Sequence, residues 1–181
     1  SDYWDTNPAL KQLKEDKEKE WLDSGKKYVT SLDGRRINIR SQHSILNALF
    51  QSAGVICAKY ITVFMFQKYK KIGLCVDVFQ GKPDIAPMIE YHDENQLSVN
   101  KDLFKFKTFN SKEEAQDFVL KWDGEQLGDI QKNKQGKYYI TMPSIVSTTI
   151  TQSIAKVEEM FNMNVSLGYA YVTGRNWYDC H

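Results

Sequence analysis

The chain has few of the residues that hold small extracellular folds together. Its three cysteines, Cys57, Cys75 and Cys180, are an odd number at wide spacing. Neither a disulfide framework nor a zinc finger is indicated, and a reducing, cytosolic setting is expected. The histidines, His43, His92 and His181, share no metal-binding spacing. Neither sign of charge is in excess: 24 Lys and Arg face 23 Asp and Glu for a formal +1, which excludes a supercharged tail and argues against disorder. The most apolar run, Ile61 to Phe66, is broken by Thr62 and flanked by Lys59 and Lys68, too short a run to cross a bilayer, and no signal-peptide pattern precedes it, so no membrane is expected among the partners. There is no Gly-x-x-x-x-Gly-Lys-Ser/Thr phosphate loop, no Gly-x-Gly-x-x-Gly and no Gly-x-Ser-x-Gly elbow. Internal repeats and low-complexity linkers are absent too. The chain starts with Ser rather than Met, as a processed end or a fragment would.

What is present suits one domain, or a domain with an appendage: 181 residues of which 41% are hydrophobic can build a core. Charge is unevenly distributed along it. Lys26 to Lys82 holds ten basic residues against Asp33 and Asp77, a local net of +8 that could face a polyanion. Asp84 to Asn100 holds four acidic residues and no Lys or Arg. By charge counting alone, both tracts read more simply as solvated faces.

Pro8 opens a charged segment with a thin apolar stripe (Leu10, Leu13, Trp21, Leu22), which predicts a helix ending before Gly25. Lys27–Thr30 and Ile37–Arg40 read as two strands around an Asp33-Gly34 turn. From Ser41, a potential cap, apolar residues recur at three- and four-residue intervals to Gly73, predicting a helix about 45 Å long that could bend at Gly54. Ile85–Tyr91 and Gln96–Asn100 read as strands joined by His92-Asp93-Glu94-Asn95. A helix from Ser111 to Lys121, a strand Lys137–Met142, a helix Ser147–Phe161 and a last strand Val165–Val172 follow. Hairpins mixed with long helices give the class α+β.

Two places could carry chemistry. On the long helix His43, Asn47 and Gln51 recur every four residues and so form one polar row. Amides in such a row can donate to the minor-groove acceptors that every base pair presents, although alone the row is more simply the exposed edge of an amphipathic helix. At the hairpin, His92-Asp93-Glu94 places carboxylates where Mg²⁺ could bind through one or two protein oxygens, water and substrate phosphate. Alone, that tripeptide is a polar turn.

In combination the blocks resemble the carboxy-terminal part of family A DNA polymerases, the group that includes bacterial DNA polymerase I and related phage enzymes. Leu32-Asp33-Gly34-Arg35-Arg36-Ile37 is similar to the strand pair before the long palm helix, and Arg40 to Gly54 (RSQHSILNALFQSAG) to that helix in its phage form. Tyr91-His92-Asp93-Glu94 resembles motif C, and Gly174 to His181 resembles the terminal segment of phage members, which implies a natural carboxy terminus. Ordered co-occurrence is far more specific than any one block.

The resemblance implies a palm-type α+β fragment: residues 1–100 as a palm portion with the long central helix and motif C hairpin, 101–137 as an α/β insertion that matches nothing in the family, and 138–181 as the carboxy-terminal palm portion. By the same analogy Asp93 and Glu94 would be the metal and catalytic carboxylates, with His92 near the primer terminus. His43, Asn47 and Gln51 would contact the minor groove, and Arg35 and Arg36 phosphate. Asn95 stands where the family has an apolar strand residue, so a bend at the start of the second strand is expected. The metal-binding Asp of motif A and the fingers helix have no counterpart in the 181 residues. The two-Mg²⁺ site would therefore be completed by an upstream fragment, the partners would be primer-template DNA and, in the whole enzyme, deoxynucleoside triphosphates, and this chain alone would be an inactive part of a DNA-directed DNA polymerase. The other class open to it is a non-catalytic DNA-binding or assembly module derived from a palm.

Overall fold

A proline at the first helical position loses no hydrogen bond, because the N–H it lacks would have no partner there. The computed structural model, which describes residues 3–76, 81–91 and 94–180, places a short helix α1 at Tyr3–Thr6 and then α2 at Pro8–Asp23. α2 stops at Gly25, whose φ of +72° lets the Lys26 N–H turn back to the Trp21 carbonyl at 2.9 Å. Strands β1 (Tyr28–Thr30) and β2 (Arg36–Asn38) pair antiparallel around Gly34. Trp21, Val29, Ile39 and Ile45 form the buried cluster of this first unit, Ser1–Tyr60.

Glu20 ties α2 to β1. Its Oε1 accepts the Thr30 N–H at 2.6 Å, its Oε2 accepts from Lys17 at 2.8 Å, and Lys17 also donates to the Thr30 carbonyl. Partial burial alone would raise the Glu20 carboxyl, but the hydrogen bonds from Lys17 and Thr30 outweigh it and hold the group below its ordinary value of 4.5.

Helix α3 runs Ile45–Lys71, from the first unit into the second, Ile61–His181. Ser41 does not cap it with its side chain, as expected from sequence. Instead a 3-10 turn at Gln42–Ser44 leads in, with the Ser41 carbonyl accepting both the N–H and the hydroxyl of Ser44. The helix continues through Gly54 and closes at Gly73 (φ +79°), where the Leu74 N–H reaches the Tyr69 carbonyl. By length and composition alone it could cross a membrane. Ile45, Leu49, Ile56, Met65 and Tyr69 along it are, however, buried within the protein.

In the second unit β3 (Ile85–Tyr91) and β4 (Glu94–Val99) form an antiparallel hairpin. Its base packs into the cluster of Met65, Tyr69, Ile85 and Val146. A three-stranded antiparallel sheet follows in the order β5-β7-β6, from β5 (Phe106–Phe109), β6 (Gln131–Lys132) and β7 (Tyr138–Thr141). Helix α4 (Lys112–Leu120), capped by Ser111, packs on it through Ala115 and Phe118 against Ile140, Leu127 and Phe109. Helix α5 (Ile145–Met160) starts two residues earlier than expected because Ser144 and Ser147 form a reciprocal capping box.

The strand expected at Val165–Val172 does not form. Residues 164–174 pair mainly through side chains: the Gln131 amide both donates to the Thr173 carbonyl and accepts its N–H at 3.0 Å, and the Thr141 and Thr173 hydroxyls meet at 2.8 Å. A direct backbone bond joins Asp129 to Tyr171, and Tyr171 packs so close to Gly128 that a Cβ there would lie 3.1 Å from its ring. A side-chain amide thus does for Thr173 what a longer β6 would have done. The α+β class stands.

Two predictions follow from these contacts. Replacing Glu20 with Gln keeps the oxygen facing Thr30 but removes the charge facing Lys17, and should destabilise the protein by about 0.5–1 kcal/mol near neutral pH, as expected for a part-exposed pair. Because the folded-state pKa is depressed, that difference is present above the ordinary glutamate value of 4.5 and disappears as pH falls through the lower folded value. Parallel denaturant titrations of both proteins across this range check it, and a gap that persists in acid refutes the assignment. The second concerns 101–137, both of whose strands pair with β7. Deleting the segment strips Tyr138 and Tyr139 of both strand partners and Ile140 and Thr141 of their β5 partners, so the deletion should lower Tm by several degrees or abolish cooperative melting. An unchanged Tm would show the sheet to be dispensable.

Candidate nucleic-acid interface and hairpin end

The base of the hairpin is fixed and its end is displayed. Ile85 is fully buried, its N–H donates to Leu74, and the Asn100 N–H and side-chain amide both bond Asp84. The pairing runs Ile85↔Val99 to Pro87↔Leu97, then resumes at Ile89↔Gln96, so Met88 is an extra residue on β3. The irregularity therefore lies at Met88, beside a proline that cannot donate to the ladder, and not at Asn95, where the sequence suggested it. Asn95 pairs regularly with Glu90, and its side-chain oxygen accepts from Thr62 of α3 at 3.2 Å. Strand β4 also begins earlier than expected, since Tyr91 pairs with Glu94.

His92 and Asp93 lie outside the described residues. Glu94 is exposed and accepts from the Gln96 side chain at 2.9 Å. Near it runs the carboxy-terminal turn, Trp177–Cys180. Burial pushes the Cys180 thiol above its usual value, and the negative charges of Asp179 and Glu94 add to the effect. The turn folds tightly on itself: a Cβ on Gly174 would meet Asp179 at 2.6 Å and the Cys180 sulfur at 2.8 Å, and Asp179 accepts the Arg175 N–H. Among the described residues no group of three His, Cys, Asp or Glu side chains could enclose a metal ion. The donor that is described, an exposed carboxylate, has the hard-oxygen chemistry that suits Mg²⁺ retaining most of its water, but it is too few for a closed protein site.

In the first unit His43, Asn47 and Gln51 are all exposed, and the four-residue row continues through Val55 and Lys59, exposed as well. Arg35 and Arg36, in contrast, are engaged within the chain. Arg35 donates to both oxygens of Asp33, a hydrogen bond that holds the Asp33 carboxyl below its ordinary range. The Arg36 guanidinium lies 4.3 Å from the centre of the Tyr28 ring and shares an open groove with Asp16, Glu20 and Asp23. Arg40 and Lys59 are exposed and make no ion pair among the described residues. Sequence reasoning passed over both as candidates. The signal was available, for Arg40 has no acidic residue within six positions and Lys59 continues the row.

No family model matches the chain. It is similar to the DNA-directed DNA polymerase of Escherichia phage Phieco32, 32% identical over 108 residues, covering 55% of this chain and 15% of that protein. The DNA-directed DNA polymerases of Enterobacteria phage T3 and Escherichia phage T7 match at 26% and 25% identity over 135 residues, 68% of this chain and 18% of each relative. Over part of its length the chain is homologous to phage DNA-directed DNA polymerases. It spans less than a fifth of those curated relatives.

The electrostatic link between Glu94 and Cys180 is directly testable. Glu94→Gln removes a negative charge that disfavours the thiolate, so Cys180 should alkylate faster, by about twofold at fixed near-neutral pH. Peptide-resolved mass spectrometry after a timed iodoacetamide pulse reads this, with buried Cys57 as the internal control. An unchanged Cys180 rate would place the two groups out of electrostatic reach.

Proposed function

We propose that this chain is the carboxy-terminal palm part of a family A, phage-type DNA-directed DNA polymerase, contributing the motif C carboxylates and minor-groove contacts to nucleotide addition on a primer. The observation that carries the reading is the similarity to three phage polymerases over 55–68% of the chain. The exposed amide row on α3 and the exposed end of the β3–β4 hairpin support it. On this reading the amides of Asn47 and Gln51 donate to purine N3 and pyrimidine O2, which holds the duplex without reading its sequence, while His43 contacts the same groove. Arg40 and Lys59 neutralise phosphate, and Arg35 and Arg36 chiefly hold the strand pair that leads into α3.

Asp93 and Glu94 would hold Mg²⁺ by oxygen coordination, with His92 beside the primer terminus. Bound there, such ions would supply activation of the primer hydroxyl and charge neutralisation on the transferred phosphoryl group. Two carboxylates on one hairpin carry too little charge and too few ligands to fix two ions. A second Asp and the groups that clamp the triphosphate belong to an upstream partner fragment. Protein, DNA and nucleotide would meet in the cytosol. The second reading is a non-catalytic DNA-binding or assembly module built from a palm.

Primer extension separates the two. The chain alone should extend nothing. Together with an upstream fragment that carries the second metal-binding Asp and the fingers helix it should regain synthesis, and Asp93→Asn in that pair should lower extension by orders of magnitude while leaving duplex binding intact. Synthesis by the chain alone, or an Asp93→Asn pair as active as the parent, overturns the polymerase reading. Failure of any upstream fragment to restore activity favours the module.

A further inference from the structure

Gly54 lies in the middle of α3, nine residues from its start at Ile45. A glycine inside a helix is less favourable than alanine, because it leaves the backbone freer in the unfolded chain. Helix interiors keep glycine where a neighbour sits too close for a Cβ or where φ must be positive. Neither holds here. A Cβ built on Gly54 meets nothing within 4 Å, and Gly54 is not among the glycines with positive φ. Gly128 and Gly174 in the same chain show the opposite, each hemmed in by atoms closer than 3.0 Å to such a Cβ. Nothing among the described residues uses the missing side chain at Gly54.

Its position says what would. At 100° per residue, Gly54 falls between Phe50 and Asn47 on the helix circumference and one turn beyond Gln51. His43, Asn47, Gln51, Val55 and Lys59 form an exposed row beside it. Two amide donors that lead into a position without a side chain make a shelf on which the body of a ligand can approach the helix backbone while the amides reach its edge. The segment from Lys26 to Lys59 carries six basic residues against Asp33, and the exposed Arg40 and Lys59 flank the shelf in sequence, so the charge favours a polyanion.

Resting on the polymerase reading, we propose that Gly54 is a positioning residue for duplex DNA: its bare backbone seats the sugar edge of the minor groove and sets the depth at which Asn47 and Gln51 meet the bases. A methyl group at this position would lift the duplex off both amides. It would leave the phosphate contacts of Arg40 and Lys59 in place.

The test compares the full chain with Gly54→Ala, Gly54→Ser, Asn47→Ala and Gln51→Ala, by thermal melting and by anisotropy of a fluorescein-labelled primer-template duplex over a salt series. Gly54→Ala should melt about 2–6 °C higher, because alanine is the better helix former and has room. It should nevertheless bind the duplex about tenfold more weakly with an unchanged salt slope, since no counterion-releasing contact is lost. Gly54→Ser should weaken binding similarly, which guards against an effect peculiar to alanine. Gly54→Ala that binds as the parent does, while Asn47→Ala and Gln51→Ala weaken binding, refutes this inference and leaves the polymerase reading standing. Indifference of the duplex to all four substitutions, or no binding by the parent, refutes the reading of the helix face and the inference with it. A Gly54→Ala chain that melts lower than the parent also refutes it, because the glycine would then serve the fold.

Discussion

The Tyr69 hydroxyl donates to the Val146 carbonyl across 3.0 Å in the driest part of the second unit, and the arrangement of that unit depends on the contact. Tyr69 is fully buried, so its hydroxyl must find a partner or bear the cost of desolvation, and burial pushes its pKa well above the ordinary tyrosine value. The partner it finds lies in the first turn of α5. That one bond fixes where the end of α3 meets the start of α5, and Met65, Ile85 and Val146 close around it. Ile85 is in turn the first residue of β3 and pairs with Val99. A hairpin held this firmly at its base can leave its other end in water, and Tyr91 and Glu94 at that end are both exposed.

Helix α3 satisfies two demands at once. In the first unit Ile45, Leu49 and Ile56 form one buried stripe while the row His43, Asn47, Gln51, Val55 and Lys59 stays outside, and in the second unit the buried residues, Met65 and Tyr69, fall on the opposite side of the helix from that stripe. A helix apolar enough to pass for a membrane span thus carries a mostly polar exposed row, interrupted at Val55. Its mean composition combines the buried residues with apolar residues that are exposed, Phe50, Val55 and Val63 among them. Composition averaged over a helix cannot separate these two contributions, but position around its circumference can.

The features legible in the sequence were those fixed by local chemistry. Pro8 and Gly25 marked both ends of α2, the Asp33-Gly34 turn marked the first hairpin, and a 3.6-residue period over nearly thirty residues marked α3. The displayed position of the amide row followed from that period. The features that were not legible depend on partners distant in sequence. β5 and β6 are four and two residues long and exist because β7 pairs with both, so neither has a pattern of its own. The alternating stretch before Gly174 looked like a strand, yet its groups are met at scattered places, the Leu167 N–H by Glu158, the Tyr171 carbonyl by the Asp129 N–H and Thr173 by the side chain of Gln131, over forty residues away in sequence. The sequence suggests a bend at Asn95, an unusual residue, whereas the irregularity lies at Met88, beside a proline that lacks an N–H. For bulges, missing donors are the better guide.

The same distinction between local and distant partners governs the charge. The net of +8 between Lys26 and Lys82 measures a far field, whereas binding to a polyanion at a given salt depends on how many cations can exchange a solvent counterion for a phosphate. Arg35 already holds the carboxylate of Asp33, so moving it to a phosphate would strand that carboxylate and release little. Arg36 is stacked on Tyr28 in a groove that also holds three carboxylates. Arg40 and Lys59 carry no such commitment. On the polymerase reading, the arginine pair chiefly holds the entry to α3, while Arg40, which precedes the helix, and Lys59, on its exposed side, would be among the cations that meet the polyanion.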